Sequence, residues 1–481
     1  MTRADIDRLF HPKSVAIVGA SRSERRRGNQ LVKAFLDFGF EGPIYPINPQ
    51  ADEIRGLKAY PSMRDVPEPV DYAYIIIPRN EVLPTIHDCG ANGTKFAVIF
   101  TAGFSETGKP DATELENHIA MAAAKSGLRL IGPNCVGVHC PSGRVPMYMG
   151  FSSEPGRIAF VSQSGGFSFQ FQYWASARDM RFSKVVSYGN ACDLDSPDFL
   201  EYLVHDQETE IVALYIEGVK DGRRFLATLR ELAKVKPVIA LKGGQTDVGS
   251  QVAASHTGAM AGDATVWRAI FKQAGVVSTQ SFEELLDTAL AFYYGGCPEG
   301  RRIGVLGSGG GSSVNTTDIL VDEGLVVPKL SAETQKKMES VSTEIVAEGE
   351  GLIFRNPIDF HFTPPEDVRK YSEFVSLDPN IDIVLGVRNL GPQAITLEGE
   401  SRVIEVIDAI KEGGRMGGKP FFMVLKLIHE SISKGERIGE IWSQETHECS
   451  KEGIAAYPTL PRAARALSNL VEYYELARKG R

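Results

Sequence analysis

Cysteine is sparse. The 481-residue chain carries six, at Cys89, Cys135, Cys140, Cys192, Cys297 and Cys449, and no two stand in CxxC spacing. That scatter suggests neither a disulfide framework nor a zinc site, and no metal ligands are read in the chain. No apolar stretch is long enough to span a bilayer. The opening MTRADIDRLFHPKS has no hydrophobic centre of the kind a secretory signal needs, so a cytoplasmic protein without membrane contact is expected. Basic charge is also short: 52 Lys and Arg stand against 61 Asp and Glu, with no long basic stripe, which argues against nucleic acid as the ligand. Two nucleotide fingerprints are missing. There is no GxGxxG, and no GxxxxGK followed by Ser or Thr, so neither an NAD-type turn nor a P-loop is read.

What is present is an alternation of short apolar runs and amphipathic stretches. SVAIVGAS (14–21), GPIYPINP (42–49), DYAYIIIP (71–78), KFAVIFTAGF (95–104) and LRLIGPN (128–134) read as strands with helices between them. Such alternation predicts parallel sheets with crossover helices, an α/β fold. GRIAFVSQSGG (156–166) opens a second series, continued by FSKVVSYGN, EIVALYIEG and PVIALKGG. RRIGVLGSGGG (301–311) opens a third, continued by IDIVLGVRN and KPFFMVLK. The openings of the second and third series share a basic residue, an apolar strand, then Ser and Gly leading into a helix. The length exceeds one core, and the expected domains are 1–145, 146–298 and 299–481.

The first strand-to-helix turn runs Gly19-Ala20-Ser21-Arg22-Ser23-Glu24-Arg25-Arg26-Arg27-Gly28-Asn29. The second strand ends in Asn48-Pro49-Gln50, with no carboxylate placed to grip a ribose diol. A Rossmann-like turn with four arginines suits a heavily phosphorylated ligand, and coenzyme A fits better than NAD. The competing reading is an exposed basic loop. Pro133, Asn134 and Cys135 follow another strand and should face the same crevice. Cys135 lacks a recognisable activating base and is not read as a nucleophile.

Ser162-Gln163-Ser164-Gly165-Gly166 ends a strand and opens a helix, where unpaired amides and the helix dipole make an anion site. Glu217, ending the strand of LYIEGV, could orient an imidazole. His256 lies in Ala253-Ala254-Ser255-His256-Thr257-Gly258-Ala259-Met260, a small-residue run that suits a mobile carrier of a transferred group. A linker with a chance histidine is the bland alternative. Ser308-Gly309-Gly310-Gly311 repeats the serine-glycine helix start, and Asn356-Pro357-Ile358-Asp359 suggests a structured turn.

PKSVAIVGASR, GFEGPIYPINPQADEIRGLKAYPS, TAGFSETG, IGPNCVG, SQSGG, LYIEGVKDGRRF, ASHTGAMAGD and EGIAAYPTLPRAARAL, in this order, resemble the NDP-forming acyl-CoA synthetases over nearly the whole chain. The resemblance is to the α subunit of the two-subunit forms: a Rossmann-like CoA-binding domain, then two flavodoxin-like, doubly wound ligase domains. It implies a relay in which an acyl phosphate forms, His256 is phosphorylated, the SQSGG helix holds the phosphate and Glu217 orients the imidazole. ADP or ATP, with Mg2+, would sit on an ATP-grasp β partner, implying a hetero-oligomer. The chain departs from the family at Gln50, where lysine is frequent, at Phe167 and the following FQF, and at the glycine turn of the third unit. A CoA-binding regulatory protein that keeps the fold without turnover is the rival reading.

Overall fold

The apolar runs become the strands of three largely parallel sheets in the computed structural model, which describes residues 3–246, 248–249, 264–307, 310–341, 355–360, 363–390, 399–427 and 435–479. His256, Ser308 and Gly309 lie outside the described residues. The chain divides into two units, Met1–Ser176 with Met180–Leu285, and Ala177–Asp179 with Leu286–Arg481.

In the first unit, β1 (Val15–Val18), β2 (Ile44–Ile47), β5 (Tyr72–Ile75), β6 (Phe96–Ile99) and β7 (Arg129–Ile131) pair in parallel in the order β2-β1-β5-β6-β7. A two-residue hairpin, β3 (Glu53–Ile54) with β4 (Leu57–Lys58), stands apart. The strands read as continuous apolar runs because both faces are covered. Val15, Ile17, Tyr72 and Val98 pack on α1 (Arg3–Phe10) and α2 (Arg27–Asp37) through Leu9, Phe10, Leu31 and Phe35. The alternate residues Ala16, Ala73, Ile75 and Ile99 share a core with Val82 and Ile86 of α3 (Arg79–Asn92) and Ile119 of α4 (Pro110–Ser126).

The second sheet joins β8 (Gly137–His139), β9 (Ile158–Ser162), β10 (Phe182–Ser187), β11 (Ile211–Ile216), β12 (Val238–Lys242) and β13 (Val277–Thr279), in the order β13-β12-β11-β9-β10-β8. Only β8 runs antiparallel, along β10. The strand order reverses at β9, which has β10 on one side and β11 on the other, so a crevice opens between the carboxyl ends of β9 and β11. Helices α5 (Gly165–Ser176), α6 (Ser196–His205) and α7 (Gly222–Val235) connect these strands. Asp195 caps α6 through a reciprocal bond pair with the Asp198 turn, and Asp221 caps α7 through the amides of Arg223 and Arg224.

The second unit has β14 (Ile303–Leu306), β15 (Ile383–Leu390), β16 (Phe421–Leu427) and β17 (Ala455–Tyr457), all parallel and in sequential order. Single bridges, Arg302 with Val326 and Leu306 with Ile358, flank β14 on its other side. The NPID turn therefore lies beside β14, where Asn356 accepts from the Val305 amide at 2.8 Å and donates to the carbonyls of Ile303 and Pro328. This gives the third sheet the same reversal of order as the second, with one neighbouring strand reduced to single bridges. No helix among the described residues is long and apolar enough to cross a membrane.

Candidate functional site

The crevice between β9 and β11 is built from backbone. Ser162 Oγ accepts from the Ser164 amide at 3.1 Å and donates to the Ser164 carbonyl, curling the chain into α5. Ser164 Oγ then accepts from the Phe167 amide at 3.3 Å. Among the described residues, the amides of Gly165 and Gly166 find no acceptor, so the helix opens on two donors backed by its dipole.

Gln163 spans the crevice. Its side-chain oxygen accepts from the backbone amides of Glu217 at 2.5 Å and Gly218 at 2.9 Å, while its backbone N–H donates to the Tyr215 carbonyl. The turn before α5 and the end of β11 are thereby held as one piece. Glu217 is buried, and the Tyr215 hydroxyl donates to its Oε1 at 3.1 Å. Burial, with the Glu217 carboxylate beside it, pushes the Tyr215 hydroxyl far above its ordinary pKa, so it stays a proton donor here. At the end of β12, Lys242 is buried with its ammonium 5.3 Å from the Trp267 ring centroid. Burial lowers its pKa, and the Glu217 carboxylate works in the opposite direction. A Cβ on Gly243 would meet the Tyr215 hydroxyl at 2.5 Å. The chain that leads into the His256 segment thus leaves β12 beside Glu217, at the carboxyl edge.

At the carboxyl edge of the first sheet, Gly19 has φ +91°, and a Cβ there would collide with the Ile76 carbonyl oxygen. A Cβ on Gly28 would collide with the Gly19 carbonyl, so these two glycines let α2 lie directly on the β1 turn. Asn29 is buried, donates to the Ser21 carbonyl at 2.6 Å and accepts from Arg55. Asn48 donates to the Ala20 carbonyl at 2.7 Å, and its Oδ1 accepts from the Gln50 amide across Pro49. The residues of the first turn and of the β2 end are therefore brought together. Arg22 is exposed, 4.0 Å from Asp52, and Arg27 lies over the Phe100 ring at 4.7 Å.

The loop after β7 stands on the far side of the same edge. Asn134 (φ +58°) donates its amide to the Thr101 carbonyl, and the Pro133 carbonyl accepts from the Asn190 amide. Cys135 is buried with Sγ 3.5 Å from the carbonyls of Ile99 and Ile131, and burial raises its pKa to about 12. Its thiol faces the core. The Val136 amide donates to Ser187 Oγ at 3.1 Å. Asn190 ties its loop to the 105–107 turn and to α4, donating to Glu106 at 2.6 Å, Glu116 at 2.9 Å and Ser105 at 3.2 Å.

Sequence reasoning did not single out Tyr215, Lys242, Ser187 or Asn190. The signal is present for two of them, as polar residues within or ending the apolar runs ALYIEG and IALKGG. Phe167 stacks on Phe282 at 4.9 Å and meets Tyr215 edge-on at 4.4 Å, so it lines the Glu217 side of the crevice. Phe171 belongs to the core instead, stacked on Phe160. In the second unit a cavity of about 360 Å³ lies at the carboxyl ends of β15 and β16, lined by Ser312, Asn315, Thr316, Asn389, Lys426 and Thr459 among others.

Comparison with known proteins places the chain in a family. A family described as a CoA binding domain matches residues 13–141, and one described as a succinyl-CoA ligase like flavodoxin domain matches residues 155–292. The chain is 35% identical over 461 residues to acetate–CoA ligase (ADP-forming) II subunit alpha of Pyrococcus furiosus, a match covering 96% of this chain and 98% of that one. It is also 35% identical over 480 residues to acetate–CoA ligase (ADP-forming) I of Archaeoglobus fulgidus, covering 99% of this chain but 65% of that longer relative. A solved dinucleotide-forming acetyl-coenzyme A synthetase 1 of Ca. Korarchaeum cryptofilum, in complex with phosphate and ADP, superposes with a TM-score of 0.83. It is 32% identical, and the match covers 98% of this chain and 97% of that one. The chain belongs to the NDP-forming acyl-CoA synthetases, as an α-type chain of an ADP-forming acid–thiol ligase.

Proposed function

We propose that this chain carries CoA chemistry and the phosphoryl carrier of an acyl-CoA synthetase, interconverting acyl-CoA, phosphate and ADP with a carboxylic acid, CoA and ATP. The single observation that carries the reading is the crevice between β9 and β11. It presents two donor amides of α5 and, pinned to the same turn through Gln163, the carboxylate of Glu217.

CoA occupies the carboxyl edge of the first sheet. Gly19, Ala20, Ser21 and Gly28 let its diphosphate approach backbone; Asn29, Asn48, Pro49 and Gln50 shape the turn; Arg22 and Arg27 supply positive charge. Pro133, Asn134 and the backbone of Cys135 close the side toward α5. Phosphate attacks the acyl carbonyl, the C–S bond breaks, and CoA leaves as the thiol with an acyl phosphate remaining. An imidazole nitrogen of His256 takes the phosphoryl group, and the acid departs as carboxylate. Gly165 and Gly166 donate to the phosphate, with Ser162, Gln163 and Ser164 shaping their turn. Glu217 accepts from the other ring N–H and fixes the tautomer.

The phosphoryl group then passes to ADP on an ATP-grasp β partner, with which the chain forms a hetero-oligomer. Magnesium accompanies the nucleotide there and offsets phosphate charge. The expected domains follow these roles: 1–145 for CoA, 146–298 for the carrier, 299–481 for the second ligase domain.

Incubating the chain with its partner and γ-labelled ATP should give acid-labile, base-stable label on this chain. A His256→Asn protein that labels as well as wild type overturns the relay. Calorimetry separates the ligand: binding of NAD with none of CoA overturns the first-domain assignment.

A further inference from the structure

At the opposite, amino-terminal edge of the second sheet, the fold assembles three metal-binding side chains from distant parts of the chain. His11 follows α1, Cys140 follows β8, and Glu208 precedes β11. One ligand atom from each lies within 4.8 Å of the others. The imidazole Nε2 is 3.3 Å from Ser142 Oγ and 4.0 Å from Glu208 Oε1, so this nitrogen faces the group. Its other nitrogen, Nδ1, is 3.3 Å from Asp7 Oδ1.

We propose that His11, Cys140 and Glu208 bind one zinc ion. The donor set is that of zinc: one imidazole, one thiol and one carboxylate, in a four-coordinate site completed by water or by the Ser142 hydroxyl. Asp7 Oδ1 accepts from the Tyr202 hydroxyl at 2.9 Å and lies beside the distal nitrogen without a hydrogen bond to it, placed to serve as the outer carboxylate that orients a metal-bound histidine once the ion holds the ring. The Lys184 ammonium is 3.0 Å from Asp206 and 2.8 Å from Glu208 Oε2. Lys184 thus engages one Glu208 oxygen and leaves Oε1 toward His11.

Binding forms the Zn–S bond and breaks the S–H bond of Cys140, releasing that proton to solvent, so affinity falls as the pH drops. The ion ties α1 to the ends of β8 and β11, far from the phosphoryl crevice, and its role is structural. Sequence spacing gives no sign of it, because the three ligands meet only in the folded chain.

The test uses the full-length protein, stripped with a chelator and titrated with zinc chloride, followed by calorimetry and metal analysis after gel filtration. One retained zinc per chain, undisturbed by excess magnesium, and a higher Tm support the site. So does a thiolate-to-cobalt charge-transfer band when cobalt replaces zinc. Cys140→Ser should abolish that band and weaken zinc binding at least 100-fold, and Asp7→Asn should weaken it about 10-fold. Cys297→Ser, which removes an exposed thiol elsewhere, should change nothing. Absence of a retained equivalent, or of the cobalt band in the wild-type protein, overturns the proposal; so does zinc binding by Cys140→Ser equal to wild type. The wild-type spectrum decides even where a variant fails to fold.

Discussion

A Cβ placed on Gly165 would lie 2.7 Å from Val136 Cγ2. The first residue of α5 therefore rests on the loop that leaves the first sheet, and the serine-glycine turn before α5 shares a wall with that loop. Gly165→Val should push this wall apart. A displacement of about 1 Å between reacting groups lowers rate on the order of 100-fold, so kcat for acyl-CoA formation should fall by that order. CoA affinity by calorimetry should change much less. Unchanged steady-state kinetics would show that the contact does not set the alignment.

Gln163 holds the Glu217 and Gly218 amides from across the crevice. Gln163→Leu keeps the volume but strands two buried donors, each worth about 1–3 kcal/mol when left unmade. Urea unfolding should show the first unit weakened by about 2 kcal/mol or more, and phosphorylation of the chain by labelled ATP should slow. A variant of wild-type stability would place the Gln163 bonds outside the energetics of the fold.

Glu217→Gln preserves size and an acceptor for the Tyr215 hydroxyl while deleting charge. The phosphoryl-transfer rate in rapid-quench experiments should drop about 100-fold or more, in line with loss of a residue that orients a catalytic imidazole. The CoA dissociation constant should hold. Retention of full transfer rate would remove Glu217 from the relay.

In the second unit, Asp382 is buried, which alone would raise its pKa. The Arg302 guanidinium and amide hydrogen bonds outweigh that effect and hold it below the usual aspartate value. A carboxylate depressed in the folded state contributes stability above its unfolded pKa, and that contribution is lost as pH falls through the folded value. The contribution is thus present at neutral pH and disappears below about pH 4. Arg302→Gln should lower the denaturation midpoint at pH 7 and flatten its fall below about pH 4. An acid limb identical to wild type would contradict the pairing.

The buried parallel strands are legible in the order of the residues, because a strand covered on both faces needs an unbroken apolar run. VAIV, IAFVS, IVALYI and VIALK are such runs. β8 is not legible in this way. Three residues, Gly137, Val138 and His139, form a strand only because β10 offers them an edge. The flanks of β14 are equally hidden, since single bridges at Val326 and Ile358 leave no pattern. Within the site, the serine-glycine turn and Glu217 show in the sequence as polar groups ending apolar runs. The bond from Gln163 to the Glu217 amide does not, because a backbone partner carries no signature in residue type. Cys135 illustrates the same difficulty from the other side: its place in the loop is evident, while the inward turn of its thiol depends on packing against Ile99 and Ile131.

β8 follows the last loop of the first sheet, yet it hydrogen-bonds as the outermost strand of the second, with Val138 opposite Val186. The amino-terminal half of this unit is therefore a strand donor to the half that follows. Severing the chain between residues 141 and 155 would strip β10 of its cover and expose a sticky edge. Each half made alone should aggregate or swap strands between copies, whereas the two halves produced together should recombine by strand addition, a built-in system for fragment complementation.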